Sequence, residues 1–174
     1  NAFFQCSSLK QISIETSSSL TVIGESAFDG CSSLTEFLLP PSVTMINEYA
    51  FSECSSLKQI SIPSSITSIA NGVFDRCSSL EKISLPSSIT SIGHYAFYEC
   101  SCLEQISIPS SLCSIGDFAF SGCSSLAQIT IPSSINSIGK FAFSDCTKII
   151  KIWFLFYISF QDMIWYWNKN LIKY

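Results

Sequence analysis

The stretch Leu57–Cys77, L-K-Q-I-S-I-P-S-S-I-T-S-I-A-N-G-V-F-D-R-C, holds one complete unit of the pattern that decides the fold. Leu57, Ile60 and Ile62 read L-x-x-I-x-I, with polar residues alternating against the last two. That period of two describes a short strand with one buried face. Pro63 follows at once and closes the strand, since it has no N–H to give to a central ladder. Ile66 and Ile69 form a second apolar pair over a short extended stretch. The V-F-D-R-C segment then fits one or two turns of 3-10 or α helix with Phe74 and Cys77 turned inward.

The same unit recurs in both directions along the chain. Its A-F-x-x-C anchor falls at Phe3, Phe28, Phe51, Phe74, Phe97, Phe120 and Phe143, each followed three residues later by cysteine. The step is 25 residues once and 23 thereafter; Glu15–Leu20 adds two residues where later units have a tighter proline turn. A residue after the second isoleucine pair recurs as Gly24, Gly93, Gly116 and Gly139, with Asn47 and Ala70 as variants. Gly and Asn tolerate φ > 0, so this position is read as a tight corner. No single unit can bury its Leu, Ile, Phe and Cys columns alone. Stacked units can, at about 4.8 Å per rung, giving seven rungs a core on the order of 30 Å long. Two helices do not fit in 23 residues with a proline in the middle.

The phrase I-P-S-S-I-T-S-I-G-x-x-A-F-x-x-C-S-S-L-x-x-I-x-I resembles the BspA-like, or Treponema pallidum-type, leucine-rich repeats. These occur on bacterial surfaces and are expanded in protists such as Trichomonas and Entamoeba. The resemblance covers roughly residues 2–152. It implies an α/β solenoid, a right-handed coil of about seven 23-residue repeats. A parallel β-sheet would line the concave face, with short 3-10 or α turns elsewhere. It further implies a cell-surface or secreted antigen that attaches to matrix or host-cell proteins.

Composition narrows the function. With 47% hydrophobic and 13% charged residues the 174-residue chain has material for a packed domain. A net charge of −4 argues against nucleic acid, which needs a clustered basic face. The chain opens at Asn1 inside a repeat, with no visible signal peptide, so a fragment or processed product of a longer protein is expected.

Seven of the nine cysteines occupy one repeat position. In-register stacking gives each an equal neighbour on both sides, so buried thiols acting as small hydrophobes fit better than a disulfide ladder. Cys102 and Cys113 stand outside that column and are the candidates for reactivity or a bond to another chain. The sequence calls for no metal and no cofactor: His94 is the only histidine, and columns of one ligand type do not converge tetrahedrally. His94 shares its position with Glu25, Glu48, Asn71, Asp117 and Lys140, which reads as a solvated turn residue and not as a base. No nucleophile elbow, phosphate loop or dinucleotide fingerprint is present, so no enzyme activity is expected.

Binding falls instead to the outward face of the strands. Its columns are Gln11, Glu36, Gln59, Lys82, Gln105 and Gln128, beside Ser13, Leu38, Ser61, Ser84, Ser107 and Thr130. Amides, hydroxyls and mixed charge can hydrogen-bond an extended protein ligand, though no aromatic anchor stands out. Residues 1–152 thus form the repeat solenoid and 153–174 an aromatic tail. Its uncharged run of ten residues, Ile152–Gln161, is too short to span a bilayer. The tail is open to three readings: a cap on the last rung, interfacial membrane contact, or translated AT-rich non-coding DNA. The leading function is a non-catalytic adhesion or host-interaction module at the cell surface. The alternatives are an intracellular protein–protein scaffold and a truncated family member without independent function.

Overall fold

The computed structural model describes residues 1–15 and 17–154, with the side chains of Trp153 and Phe154 left aside. The chain winds as a parallel β-solenoid in which each central coil adds two short strands. In chain order these are β1 (Val22–Ile23), β2 (Glu36–Phe37), β3 (Met45–Ile46), β4 (Gln59–Ser61), β5 (Ser68–Ile69) and β6 (Lys82–Ser84). There follow β7 (Ser91–Ile92), β8 (Gln105–Ser107), β9 (Ser114–Ile115), β10 (Gln128–Ile131), β11 (Ser137–Ile138) and β12 (Lys151–Phe154). One sheet has the order β2-β4-β6-β8, and β10, paired with β12, lies against β8. A second sheet has the order β11-β9-β7-β5, with β1 and β3 paired separately. All pairings are parallel, and each joins residues 23 apart, as Gln59 to Lys82 to Gln105 and Ser91 to Ser114.

The second sheet is the outcome of the Ile66–Ile69 stretch, which the sequence marks only as extended. Both sheets send isoleucine inward: Ile60, Ile83 and Ile106 from the first, Ile69, Ile92 and Ile115 from the second, all buried. The turn segment contributes Phe51, Phe74, Phe97 and Phe120, each with no exposed surface. Their rings stack face to face from coil to coil at 5.2–6.0 Å. β12 runs across position 152, where the repeat pattern fades; 155–174, and with them the cap, membrane and artefact readings of the tail, lie outside the described residues.

Two expectations change in detail. Among the described residues the A-F-x-x-C segment forms consecutive turns and no helix. Its reason lies in the backbone, which adopts φ > 0 twice per coil. The first position is Ser26, Tyr49, Gly72, Tyr95, Phe118 and Phe141; the second, before each cysteine, is Gln5, Gly30, Glu53, Arg76, Glu99, Gly122 and Asp145. This alternation aims N–H groups at the next coil instead of back along a helix: Tyr95 donates to Asp117, Phe97 to Ala119 and Glu99 to Ser121 at 2.8–3.0 Å.

The recurrent glycine is the second correction. Gly24, Gly93, Gly116 and Gly139 are not among the residues with positive φ. Gly93, Gly116 and Gly139 are needed for close approach. A Cβ on Gly116 would lie 2.5 Å from the His94 nitrogen and 2.6 Å from the Gly93 carbonyl carbon, and one on Gly139 2.2 Å from the Asp117 nitrogen. A Cβ on Gly24 would meet nothing within 4 Å. The glycine column is where neighbouring backbones touch.

Two stability measurements check this packing. Phe97→Ala removes a ring stacked on both sides and should lower unfolding free energy by about 3–5 kcal/mol in urea titrations. Gly116→Ala should cost about 1–3 kcal/mol by overpacking against backbone that cannot move aside, while Gly24→Ala leaves the transition unchanged.

Candidate protein-binding face

Because β4, β6 and β8 bury only their central isoleucine, the residues on either side of it point outward in register. A groove of about 490 Å³ lies over this sheet. It brings together Glu36, Gln59, Lys82 and Gln105 in one column and Leu38, Ser61, Ser84 and Ser107 in the next. Gln128 and Thr130 continue these columns on β10, opposite Lys151 and Trp153 of β12, but do not line the groove. Gln11 and Ser13 belong to a first coil that forms no assigned strand there; the Gln11 amide donates to the Glu36 carboxylate at 3.4 Å.

Leu38 is the residue that column reading underrates. It is 77% exposed at a position where five other coils carry Ser or Thr, and it gives the groove an apolar contact among polar ones. A leucine breaking a hydroxyl column was the available signal. Lys82 is the central cation of the column, between Gln59 and Gln105.

A second groove, about 560 Å³, follows the cysteine turns and is lined by Ser32, Ser55, Ser78 and Ser101 beside Glu53, Arg76 and Glu99. The serine hydroxyls each donate to the serine carbonyl one coil back, at 3.3–3.5 Å. Arg76 bridges Glu53 and Glu99 at 3.2 Å to each and lies over the Tyr98 ring. Next to it, one carboxylate oxygen of Asp75 is buried without a hydrogen-bond partner. Burial pushes this carboxyl up to about 6; Arg76 opposes the shift, and Glu53, Glu99 and Asp29 add to it.

The cysteine column is a hydrogen-bonded one. The thiols of Cys54, Cys77, Cys100 and Cys123 donate to the carbonyls of Phe28, Phe51, Phe74 and Phe97 at 3.1–3.2 Å. No cysteine among the described residues is in a disulfide. Burial pushes the thiols of Cys77, Cys100 and Cys146 up, that of Cys146 to about 12, so they stay protonated. Cys102 is exposed and Cys113 half-buried, with its thiol on the Ser111 carbonyl.

His94 is exposed, as a solvated turn residue should be, but its position is more than tolerant. Asn71 Oδ1 accepts the His94 N–H at 2.8 Å, His94 Nδ1 accepts the Asp117 N–H at 2.9 Å, and Asp117 Oδ1 accepts the Lys140 N–H at 2.6 Å. These three members of the column each supply a side-chain acceptor for a backbone N–H of the next coil. No group of three His, Cys, Asp or Glu among the described residues is placed to hold a metal ion, and none of their helices could cross a membrane.

The stacked coils, paired parallel sheets and apolar ladders define a leucine-rich-repeat solenoid, the architecture of a protein-binding repeat module. The chain belongs to the BspA-type leucine-rich-repeat family, whose model matches six copies across residues 1–106 and 68–171. It is similar to the crystal structure of the Treponema pallidum leucine-rich-repeat protein, with 37% identity and a TM-score of 0.66 over 67% of this chain and 57% of that one. A leucine-rich-repeat protein from Bacteroides ovatus is 30% identical, with a TM-score of 0.70 over 88% of this chain and 51% of that one. A leucine-rich cell-surface protein from Faecalibacterium prausnitzii is 29% identical, with a TM-score of 0.56 over 88% and 56%. The chain thus spans little more than half the length of these proteins. No curated protein sequence matches it.

Two measurements follow. A thiol reagent should label Cys6 and Cys102 quickly, Cys113 slowly, and the six buried column cysteines only after unfolding; rapid labelling of all nine would contradict the packing. For Asp75 the folded value lies above the ordinary 3.8, so its contribution is complete below that value and is lost as pH rises through about 6. Asp75→Asn should therefore gain on the parent as pH rises from 3.8 to about 6 and hold that gain above it. After solvent screening of this half-exposed group the gain is on the order of 1 kcal/mol, read from urea midpoints at each pH.

Proposed function

We propose that this chain is a non-catalytic attachment module whose β2-β4-β6-β8 face binds extended segments of matrix or host-cell proteins. The observation that carries the reading is the groove over that sheet, where Leu38, Lys82 and a row of amides and hydroxyls face solvent at strand spacing. Regular hydrogen-bonding side chains along one line suit a ligand that is itself extended, and adding rungs adds contacts, so affinity accumulates from weak ones. Among the described side chains Leu38 supplies the exposed apolar anchor of the groove. The proposed contact residues are Gln11, Ser13, Glu36, Leu38, Gln59, Ser61, Lys82, Ser84, Gln105, Ser107, Gln128 and Thr130. The Faecalibacterium relative is described as a cell-surface protein, which supports the same location here. The solenoid offers a typical non-enzymatic scaffold, and no catalytic role is proposed.

A second reading, an intracellular scaffold, draws on one observation: six column cysteines are buried as thiols, a state that reducing compartments preserve. The same face would then take a cytosolic protein.

The test is solid-phase binding of the chain to immobilised matrix proteins and to intact host cells. Saturable binding should fall at least tenfold when Gln59, Lys82 and Gln105 are replaced by glutamate, with Leu38→Ser giving a separate loss of several-fold. Binding that survives all four changes would reject the face.

A further inference from the structure

The turn face carries an aromatic ridge that the sheet-face reading leaves unused. At the first left-handed position of each coil, where glycine would be unstrained, Tyr49, Tyr95, Phe118 and Phe141 stand instead, with Ser26 and Gly72 as the exceptions. Tyr95 and Phe118 stack at 5.1 Å and Phe118 and Phe141 at 5.0 Å, while Tyr98 meets Tyr95 edge-on. The Tyr49 ring lies across the backbone of Gly72, where a Cβ would come within 2.2 Å of it, and so extends the ridge over the intervening coil. Ring edges reach solvent, with Tyr95 38% and Phe141 42% exposed.

Carboxylates flank this ridge on both sides. Glu48 and Asp117 immediately precede Tyr49 and Phe118 in the chain, and Asp75 and Glu99 lie on the cysteine side; Lys140 and Arg76 are the cations among them. The molecule already seats one cation here. Arg76 pairs with Glu53 and Glu99 while its guanidinium carbon sits 5.9 Å from the Tyr98 ring centre. Stacked rings offer edges, which suit the methylene stems of long basic side chains whose charged heads reach the carboxylates beside them. We propose that the Tyr49–Phe141 ridge is a second docking surface, and that its partner is a protein segment rich in Lys and Arg. It uses none of the residues of the strand face, so each surface can fail without the other.

The probe is a labelled synthetic peptide alternating Arg and Leu, with a Glu-for-Arg version as control, titrated against the whole chain by fluorescence anisotropy at physiological salt. The basic peptide should bind and the acidic one should not. Tyr95→Ser with Phe118→Ser, a residue this position accepts as Ser26, should weaken binding at least tenfold in protein that keeps its circular dichroism spectrum. Glu99→Gln with Asp117→Asn should weaken it several-fold and flatten its salt dependence; Asn still accepts the Lys140 N–H. Lys82→Gln should change nothing. The proposal is overturned if the basic peptide does not bind, if its binding ignores loss of the rings, or if the acidic peptide binds equally. It is also overturned if the ring variants lose affinity for phosphatidylcholine vesicles and not for the peptide, which would make the ridge a membrane contact.

Discussion

Backbone hydrogen bonding between neighbouring coils, made once in each sheet and again along the turns, is the constraint from which the rest of the structure follows. It fixes the 23-residue register shared by every strand pair. With the register fixed, like residues meet like: phenylalanine stacks on phenylalanine and serine hydroxyls reach carbonyls one coil away. Ser111 and Ser134 donate in this way to Ile89 and Leu112 at 2.6 Å. The same rule sorts polar side chains into rows on the strand face, so the candidate binding surface arises as a by-product of stacking.

Much of this was legible in the residues because the repeat states it several times over. The Phe and Cys anchors gave the coil boundaries, the I-x-I alternation gave one sheet, and the proline after it gave the strand end. What sequence could not supply are properties of contact between coils. Nothing local in Tyr95, Glu99 or Arg76 favours a left-handed backbone; the hydrogen bond each N–H makes to the next coil imposes it. Gly116 looks like a corner residue and is a spacer, because the atoms that exclude a Cβ sit 22 and 23 positions away. The polar row through Asn71, His94 and Asp117 looks indifferent to residue type until its members are seen to accept hydrogen bonds from their successors.

The candidate site divides in the same manner. The strand-face columns could be written down from the repeat alone, and the central coils place them together over one groove. Leu38 already stood in one of those columns, whereas the aromatic ridge needed the structure, since its meaning depends on how far each side chain projects. A ring at the turn position belongs to no apolar column of the strand pattern, so periodicity leaves it out. Protonated thiols are intermediate: cysteine at one fixed position was plain, but its bond to a phenylalanine carbonyl is a feature of the stacked state.

Along the A-F-x-x-C turns one series of donated N–H groups runs from an earlier coil to a later one, as from Phe51 to Val73, Phe74 to Ala96, Phe97 to Ala119 and Phe120 to Ala142. Peptide units aligned in this way add their dipoles, much as they do along a helix, each contributing about 3.5 D. The turn face is therefore an axially polarised wall, with carbonyl character toward its first coil and amide character toward its last. Any charged body moving along that wall feels a potential with a sense of direction, so the two ends of the solenoid are electrically unlike even where their side chains match.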